Sequence, residues 1–201
     1  MNESIPEQSD GKKALSLSTG KLLIWSIVSA NIYMFLSLLI IKYWHDGWLT
    51  DLFISDFSVW IQIGVGAGAG ALTAAVIYFI INRQPISGIL DDFTIFQALT
   101  EAKFSFFDRA QISFFAGAGE ELLFRGAIQP LLGNTVTSII FIGIHGYFKF
   151  KSPAHIFFGV MMFGLSFTLG LLSQHIGLIA AMAAHAVYDL VMLQVIQGKK
   201  K

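Results

Sequence analysis

The sequence predicts an all-α fold, a polytopic membrane helical bundle with about six transmembrane helices and one interfacial segment. Of its 201 residues, 55% are hydrophobic and only 13% are charged, whereas a soluble domain carries about 25% charged residues. The mean hydropathy is +0.67. Apolar runs of about twenty residues recur along the chain, and such a run is long enough to cross the hydrocarbon core of a bilayer.

The composition also excludes several classes of function. Thirteen Lys and Arg residues balance thirteen Asp and Glu residues, so no positive surplus exists to neutralise phosphates, and a nucleic-acid partner is not expected. The absence of cysteine removes disulfides, thiolate metal ligands and cysteine nucleophiles together. A hydrolase with this sequence therefore needs another nucleophile.

Two spans are predicted in the N-terminal half. Residues 1–20 lack apolar periodicity and predict a polar N-terminal tail. The uncharged run 22–41, between Lys21 and Lys42, predicts the first span, and residues 58–81 predict the second. The second span contains two interleaved pairs of glycines at i,i+4 spacing, which favour close helix packing. These glycines are Gly64, Gly66, Gly68 and Gly70.

The C-terminal half predicts an interfacial segment followed by four spans. Residues 83–109 mix charged and apolar residues, which is typical of an amphipathic segment at a membrane surface. The four spans cover about 110–132, 135–148, 154–173 and 177–197. No repeat or linker divides the chain, so we expect residues 21–198 to form a single integral membrane domain.

The distribution of basic residues predicts the orientation of the bundle. Six spans place both termini and the loops around 82–109 and 149–153 on one side, with eleven Lys and Arg residues, against Lys42 alone on the other side. Because cytoplasmic loops are enriched in Lys and Arg, both termini are predicted to be cytoplasmic. We therefore expect a multi-pass cell-membrane protein and, from its size, one of a bacterial inner membrane.

Polar residues within the predicted spans need an explanation. A charge at the bilayer centre costs between about 2.5 and over 10 kcal/mol, so such residues normally face the bundle interior and mark a functional site. A purely structural network of ion pairs is the alternative. The residues are Glu120, Glu121, Arg125, His145, His185 and Asp189.

Helical spacing divides these residues into pairs. Glu121 and Arg125 are i,i+4 neighbours, which predicts a mainly structural ion pair. Glu120 lies about 100° around the helix from Glu121 and needs a separate partner, so it is the free carboxylate. His185 and Asp189 also share a helix face. One carboxylate with two imidazoles can activate water directly or hold a metal ion that does so.

Three motifs occur in order on three predicted spans: EExxxR at 120–125, FxxxH at 141–145 and Hxxx(N/D) at 185–189. Together they resemble the CPBP family of CAAX proteases and bacteriocin-processing enzymes, also called the Abi family, over residues 110–197. The resemblance implies an intramembrane endopeptidase related to type II CAAX prenyl proteases. It further implies a membrane-associated peptide or protein substrate, with or without a lipid, and a role in peptide maturation or bacteriocin self-immunity.

The same resemblance implies the roles of the motif residues. Glu120 corresponds to the general base that deprotonates the attacking water, and His145 holds that water. His185, with the residue one turn later, stabilises the oxyanion. Many relatives have Asn where this chain has Asp189, and an ionised Asp cannot donate a hydrogen bond, so we assign Asp189 to orienting His185. The site-supporting residues are Glu121, Arg125 and Phe141.

Metal dependence and function class remain open at this stage. The family is often described as metalloproteases, but the chain lacks HExxH, and we expect no obligatory metal. If zinc is bound, the expected ligands are Glu120, His145 and His185. The alternatives are a non-catalytic membrane immunity or scaffold protein and a proton-coupled transporter. His45, His155 and His175 are predicted to be interfacial residues.

Overall fold

The computed structural model describes residues 18–45 and 47–198, and within them all regular structure is helical. The predicted fold class is confirmed. The predicted tail lies mostly outside the described residues, although α1 already includes Thr19 and Gly20. The helices are α1 (Thr19–Trp44), α2 (Val59–Ile81), α3 (Thr94–Glu101), α4 (Phe106–Glu121), a π-helical turn (Leu122–Ile128), α5 (Gln129–Ile144), α6 (Pro153–His175) and α7 (Leu178–Gly198).

Five helical stretches in the described part of the chain are long and apolar enough to cross a membrane. The longest, Phe106–Ile144, reverses direction at Gly133, whose φ of +77° lies in the left-handed region that glycine tolerates. The rings of Phe124 and Phe141 are consequently only 5.0 Å apart. The stretch is therefore an antiparallel hairpin, and residues 18–45 and 47–198 contain six membrane segments, the number that the sequence predicts.

The fourth segment is shorter than predicted. After Gly133 the helix runs only from 134 to 144, a rise of about 16 Å and roughly half of the hydrocarbon thickness. Gly146, with a φ of +73°, follows directly, and the chain stays non-helical until Ser152. His145 thus ends a half-length helix in the interior, whereas the prediction extended this span to Phe148.

Hydrogen bonds between the ends of different helices show which helix ends lie on the same side of the bundle. On the side where α1 begins, here called the N-terminal side, the Thr19 hydroxyl donates to the Lys103 carbonyl and Arg109 donates to Gln197. On the opposite side, the Ser55 hydroxyl donates to the Ile176 carbonyl. Successive membrane segments therefore alternate in direction.

α2 and α7 pack closely through one of the two predicted glycine pairs. Gly66 and Gly70 are buried, and a Cβ atom on either would overlap the main chain of Ala180 or Ala184. Gly64 and Gly68 face open space. The small residues at positions 66 and 70 thus bring α7, which carries two of the motif residues, close to α2.

The segment between α2 and α4 is amphipathic, as predicted. It consists of two short 3-10 turns, Ile86–Gly88 and Leu90–Asp92, and helix α3. Ile86, Phe93, Ala102 and Phe104 are buried, whereas Asp91 and Asp92 are exposed. This segment covers the N-terminal side of the bundle next to the loop 145–152, where Phe93 packs against Tyr147 and Phe158.

Candidate active site

The α4–α5 hairpin brings Glu120 and His145 together. Glu120 lies in the last turn of α4 and His145 directly follows α5, so the reversal at Gly133 places them opposite each other. Glu120 Oε2 is 3.4 Å from His145 Nε2. This oxygen is buried and has no hydrogen-bond partner among the described residues. The carboxylate that the sequence leaves without a helical partner thus faces an imidazole from the neighbouring segment.

The orientation of His145 is fixed by its own helix. His145 Nδ1 lies 2.7 Å from the Phe141 carbonyl oxygen. Because a carbonyl oxygen can only accept, Nδ1 carries the hydrogen, and in the neutral ring the lone pair is on Nε2, which faces Glu120. The Phe141 ring packs 4.4 Å from the imidazole, and the Tyr147 ring lies parallel to it within 9°.

Glu121 joins two motifs. Its side chain is fully buried, Oε2 accepts a hydrogen bond from Arg125 Nε at 3.0 Å, and Oε1 lies 2.8 Å from His185 Nδ1. The predicted pair with Arg125 is present, but the expectation of a mainly structural role was incomplete. Because His185 is 64 residues away in sequence, helical spacing within one motif does not indicate this second bond.

Asp189 lies farther from His185 than expected. Asp189 Oδ2 is 3.5 Å from His185 Nε2, which exceeds the usual N–H···O hydrogen-bond range of about 2.7–3.2 Å. The short hydrogen bond that orients the imidazole comes from Glu121 instead. Asp189 therefore flanks the second ring nitrogen of His185 at the edge of the site, while Glu121 makes the shorter contact at the first.

Further polar residues, absent from the sequence-based site, extend the contacts of Arg125. Arg125 Nη2 donates to the Ser166 hydroxyl at 2.7 Å, and Nη1 lies 3.5 Å from the Ser138 hydroxyl, which donates to Asn134 Oδ1 at 3.2 Å. Asn134 and Ser138 are polar residues at i,i+4 spacing within an apolar segment, and this spacing could have indicated from the sequence that they share one face toward the site. The guanidinium also lies 5.3 Å above the Phe141 ring, which explains the supporting position of Phe141.

The π-helical turn begins directly after Glu121. Residues Leu122–Ile128 form this wider turn, and all of them except Ile128 are buried. π-helical turns are rare and occur frequently at functional sites. Here the wide turn carries Arg125 between α5 and α6, where both serine hydroxyls are in reach. The sequence gives no indication of it.

A cavity of about 360 Å³ contains the catalytic candidates. Glu120, His145, His185 and Asp189 line it together with Tyr147. The other walls are largely apolar side chains from α1, α3, α6 and α7. They include Trp25, Phe96, Leu99, Met162, Leu165 and Met192. The four predicted catalytic residues, from α4, the end of α5 and α7, thus share one cavity with room for a small apolar group.

The site does not have the arrangement of a metal centre. Across residues 18–45 and 47–198, no three His, Asp or Glu side chains are placed to hold one ion. In the expected set, His145 Nε2 faces Glu120, whereas His185 binds Glu121 through Nδ1 and the three side chains do not converge on one point. The residues present therefore do not fit the zinc site considered from the sequence.

The remaining histidines lie outside this cavity. His45 Nε2 lies 2.8 Å from the Ala127 carbonyl oxygen, and His175 is exposed at the end of α6. His155 differs from the expected interfacial residue, since only 4% of its surface is exposed. Its ring bridges Ser152 and Asp92, with contacts of 2.8 Å and 2.9 Å.

Comparisons with known proteins agree with the motif resemblance. A relative in Bacillus subtilis (strain 168), the uncharacterized protein YpbD, is 38% identical over 73 residues, which are 36% of this chain and 36% of that protein. The match thus covers about a third of the relative's length. No solved structure matches the chain significantly. Residues 103–191 match the family model for type II CAAX prenyl endopeptidase Rce1-like proteins. All three motifs, at 120–125, 141–145 and 185–189, lie within the matched residues, so this part of the chain is similar to Rce1-like type II CAAX prenyl endopeptidases.

Proposed function

We propose that this protein is an intramembrane endopeptidase that hydrolyses a peptide bond of a membrane-associated peptide or protein, with water activated by Glu120 and His145. The observation that carries the proposal is the geometry of this pair. A buried carboxylate oxygen without a hydrogen-bond partner lies 3.4 Å from the imidazole nitrogen that carries the lone pair. Both groups line the cavity.

Two acceptors at this separation suit one water molecule. A water placed about 2.8 Å from each atom donates one hydrogen to Glu120 Oε2 and the other to His145 Nε2. Its lone pairs then point away from both groups, toward a substrate carbonyl carbon. As the water oxygen attacks this carbon, Glu120 takes one proton, which is general-base catalysis.

In this proposal His185 stabilises the negative charge that forms on the substrate oxygen during attack. Attack converts the carbonyl oxygen into an oxyanion, and in this proposal a protonated His185 faces it with Nε2, while Nδ1 stays bound to Glu121. The tetrahedral intermediate then collapses, the C–N bond breaks, and Glu120 returns its proton to the leaving amine. No step requires a metal ion, so we propose that neither zinc nor another cofactor is needed.

The cavity walls support an apolar or lipid-modified substrate. Side chains of α1, α3, α6 and α7 surround the acidic and imidazole groups with hydrocarbon and aromatic surface. We therefore propose a peptide with an apolar or lipidated residue beside the cleaved bond. Peptide maturation and bacteriocin self-immunity are the roles proposed from the family resemblance.

The orientation in the membrane is proposed from charge alone. Both termini are assigned to the cytoplasm because the sequence predicts eleven basic residues on the side of the termini, against Lys42 on the other. Reporter fusions after Gln197 and within 84–93 should give cytoplasmic signals, and a fusion near Asp51 should give an exported one. A cytoplasmic signal at Asp51 contradicts the proposed orientation.

Activity can be tested with purified protein and a library of prenylated and unprenylated peptides. Glu120→Gln and His145→Gln should each lower turnover roughly 10²–10⁴-fold, the usual contribution of general acid–base catalysis. His175→Gln is the matched control, because His175 is exposed and lies outside the cavity, and it should cleave like the unmodified protein. If the folded protein cleaves no peptide, the result favours a non-catalytic immunity or scaffold protein. Proton-coupled flux that changes with the same substitutions argues for a transporter.

A further inference from the structure

We infer that Tyr147 is a further catalytic residue, whose phenolic hydroxyl donates a hydrogen bond to the oxyanion of the tetrahedral intermediate. The inference deepens the proposed function and rests on it, since it assigns a residue to the same peptide-bond hydrolysis. Tyr147 is outside all three sequence motifs and lines the cavity with Glu120, His145 and His185.

The first argument is the position of the ring. The Tyr147 ring is nearly parallel to the His145 imidazole, at an interplanar angle of 9° and a centroid distance of 5.9 Å. His145 Nε2 in turn faces Glu120. Tyr147 therefore lies alongside the group that holds the attacking water in the proposed mechanism, in the same cavity that receives the carbonyl group.

The second argument is that few uncommitted donors line the cavity. The hydroxyls of Ser26 and Ser29 donate to carbonyl oxygens of their own helix. An ionised Asp189 has no hydrogen to donate. Among the hydrogen bonds of the described residues, none involves the hydroxyl of Tyr147 or of Tyr188. Two tyrosine hydroxyls thus remain as neutral donors for a developing negative charge.

The third argument separates Tyr147 from Tyr188. The Tyr147 ring has two further aromatic contacts, with centroids 6.0 Å from Phe93 and 5.7 Å from Phe158, whereas no such contact holds the Tyr188 ring among the described residues. The Tyr147 carbonyl oxygen lies against Gly159 of α6. A donor held in this way needs little reorganisation when charge develops, which is the condition for effective oxyanion stabilisation.

The loop that carries Tyr147 is also fixed at its far end. His155 Nε2 lies 2.9 Å from Asp92 Oδ2, and His155 Nδ1 lies 2.8 Å from the Ser152 hydroxyl. The Lys149 ammonium donates to the main-chain carbonyl oxygen of Asp92. These contacts attach the loop 145–152 to the segment that contains Phe93, and so they help to keep the Phe93 ring against Tyr147.

The test uses Tyr147→Phe, which retains the ring and removes only the hydroxyl. With the library peptide that the unmodified protein cleaves best, kcat should fall about 10²–10³-fold, as on removal of one oxyanion donor. The melting temperature and the affinity for uncleaved peptide, measured in a Glu120→Gln background, should not change. A phosphinate analogue of the same peptide should bind more weakly by a factor similar to the loss in kcat.

Two matched variants complete the experiment. Tyr43→Phe alters an exposed tyrosine in the last turn of α1, outside the cavity, and should cleave normally. Tyr188→Phe should retain at least a tenth of the unmodified kcat. If kcat is unchanged in Tyr147→Phe, the inference is overturned and the proposed function still stands. The same holds if only Tyr188→Phe loses most of its kcat. If the unmodified protein cleaves no peptide, the proposed function and this inference are both overturned.

Discussion

Replacing Glu121 with alanine should destabilise the protein far more than the same change at Glu120. Glu121 is fully buried and accepts hydrogen bonds from Arg125 Nε and His185 Nδ1. Without it, the buried guanidinium of Arg125 keeps hydrogen bonds to the neutral hydroxyls of Ser138 and Ser166 but has no negative charge beside it. Removing one partner of a buried ion pair typically costs about 3–5 kcal/mol, because the other charge is left uncompensated.

This free energy corresponds to an easily measured change in melting temperature. At roughly 2–4 °C per kcal/mol for a chain of this size, Glu121→Ala should melt about 6–20 °C lower. Glu120→Ala should melt close to the unmodified protein, because Glu120 Oε2 makes no hydrogen bond with the described residues. Thermal unfolding in one detergent, followed by tryptophan fluorescence, compares the variants directly.

A second substitution isolates the role of the charge. In Glu121→Ala/Arg125→Ala neither charge remains, so the double variant should lose less stability than the sum of the single losses. Equal destabilisation by Glu120→Ala and Glu121→Ala would refute the assignment of Glu121 as the structural centre of the site. Strict additivity in the double variant would also refute it, because the two side chains would then not be coupled.

Three further predictions address packing, pH and metal. Gly66→Ala and Gly70→Ala should cost about 1–3 kcal/mol each, because a Cβ would overlap the main chain of α7, whereas Gly68→Ala should be neutral in the same unfolding assay. The His155 hydrogen bond, and then the Lys151 charge, lower the pKa of Asp92 below its ordinary 3.8. A lowered carboxyl pKa adds stability above the unfolded-state value that is lost as pH falls through the folded value. Asp92→Asn should therefore lower the melting temperature at pH 7 by an amount that shrinks below about pH 4, and a difference that grows in acid contradicts this. Cleavage should persist in EDTA without stoichiometric zinc in the protein, and inhibition reversed by added metal would show that the site needs an ion.

The number of membrane segments could be predicted because it depends on local properties. Apolar runs and bounding charges mark the spans, and Gly133 with Asn134 marks the reversal between the third and fourth. The length of the fourth segment could not be predicted in this way. Phe148 and its neighbours continue the apolar pattern, but the left-handed backbone at Gly146 ends the helix earlier.

The candidate site was predictable as a list of residues and only partly as a set of contacts. Helical spacing correctly pairs Glu121 with Arg125, since both lie on one helical stretch. The bond between Glu121 and His185 joins α4 to α7, and it depends on tertiary packing that the glycines of α2 help to set. Tyr147 and the Asp92–His155 contact were missed because neither has a spacing pattern that distinguishes it from ordinary aromatic or interfacial residues.

The half-length of α5 has a consequence for hydration. A helix satisfies its own peptide groups, but the non-helical residues 145–152 leave several of theirs without such partners, and hydrocarbon offers none. At this depth, irregular backbone is tolerated only where protein or water surrounds it, so any peptide group of this loop that protein contacts leave unpaired must face water. In the proposed hydrolysis each turnover consumes one water molecule, and water at this loop would lie next to His145, where that reactant is needed.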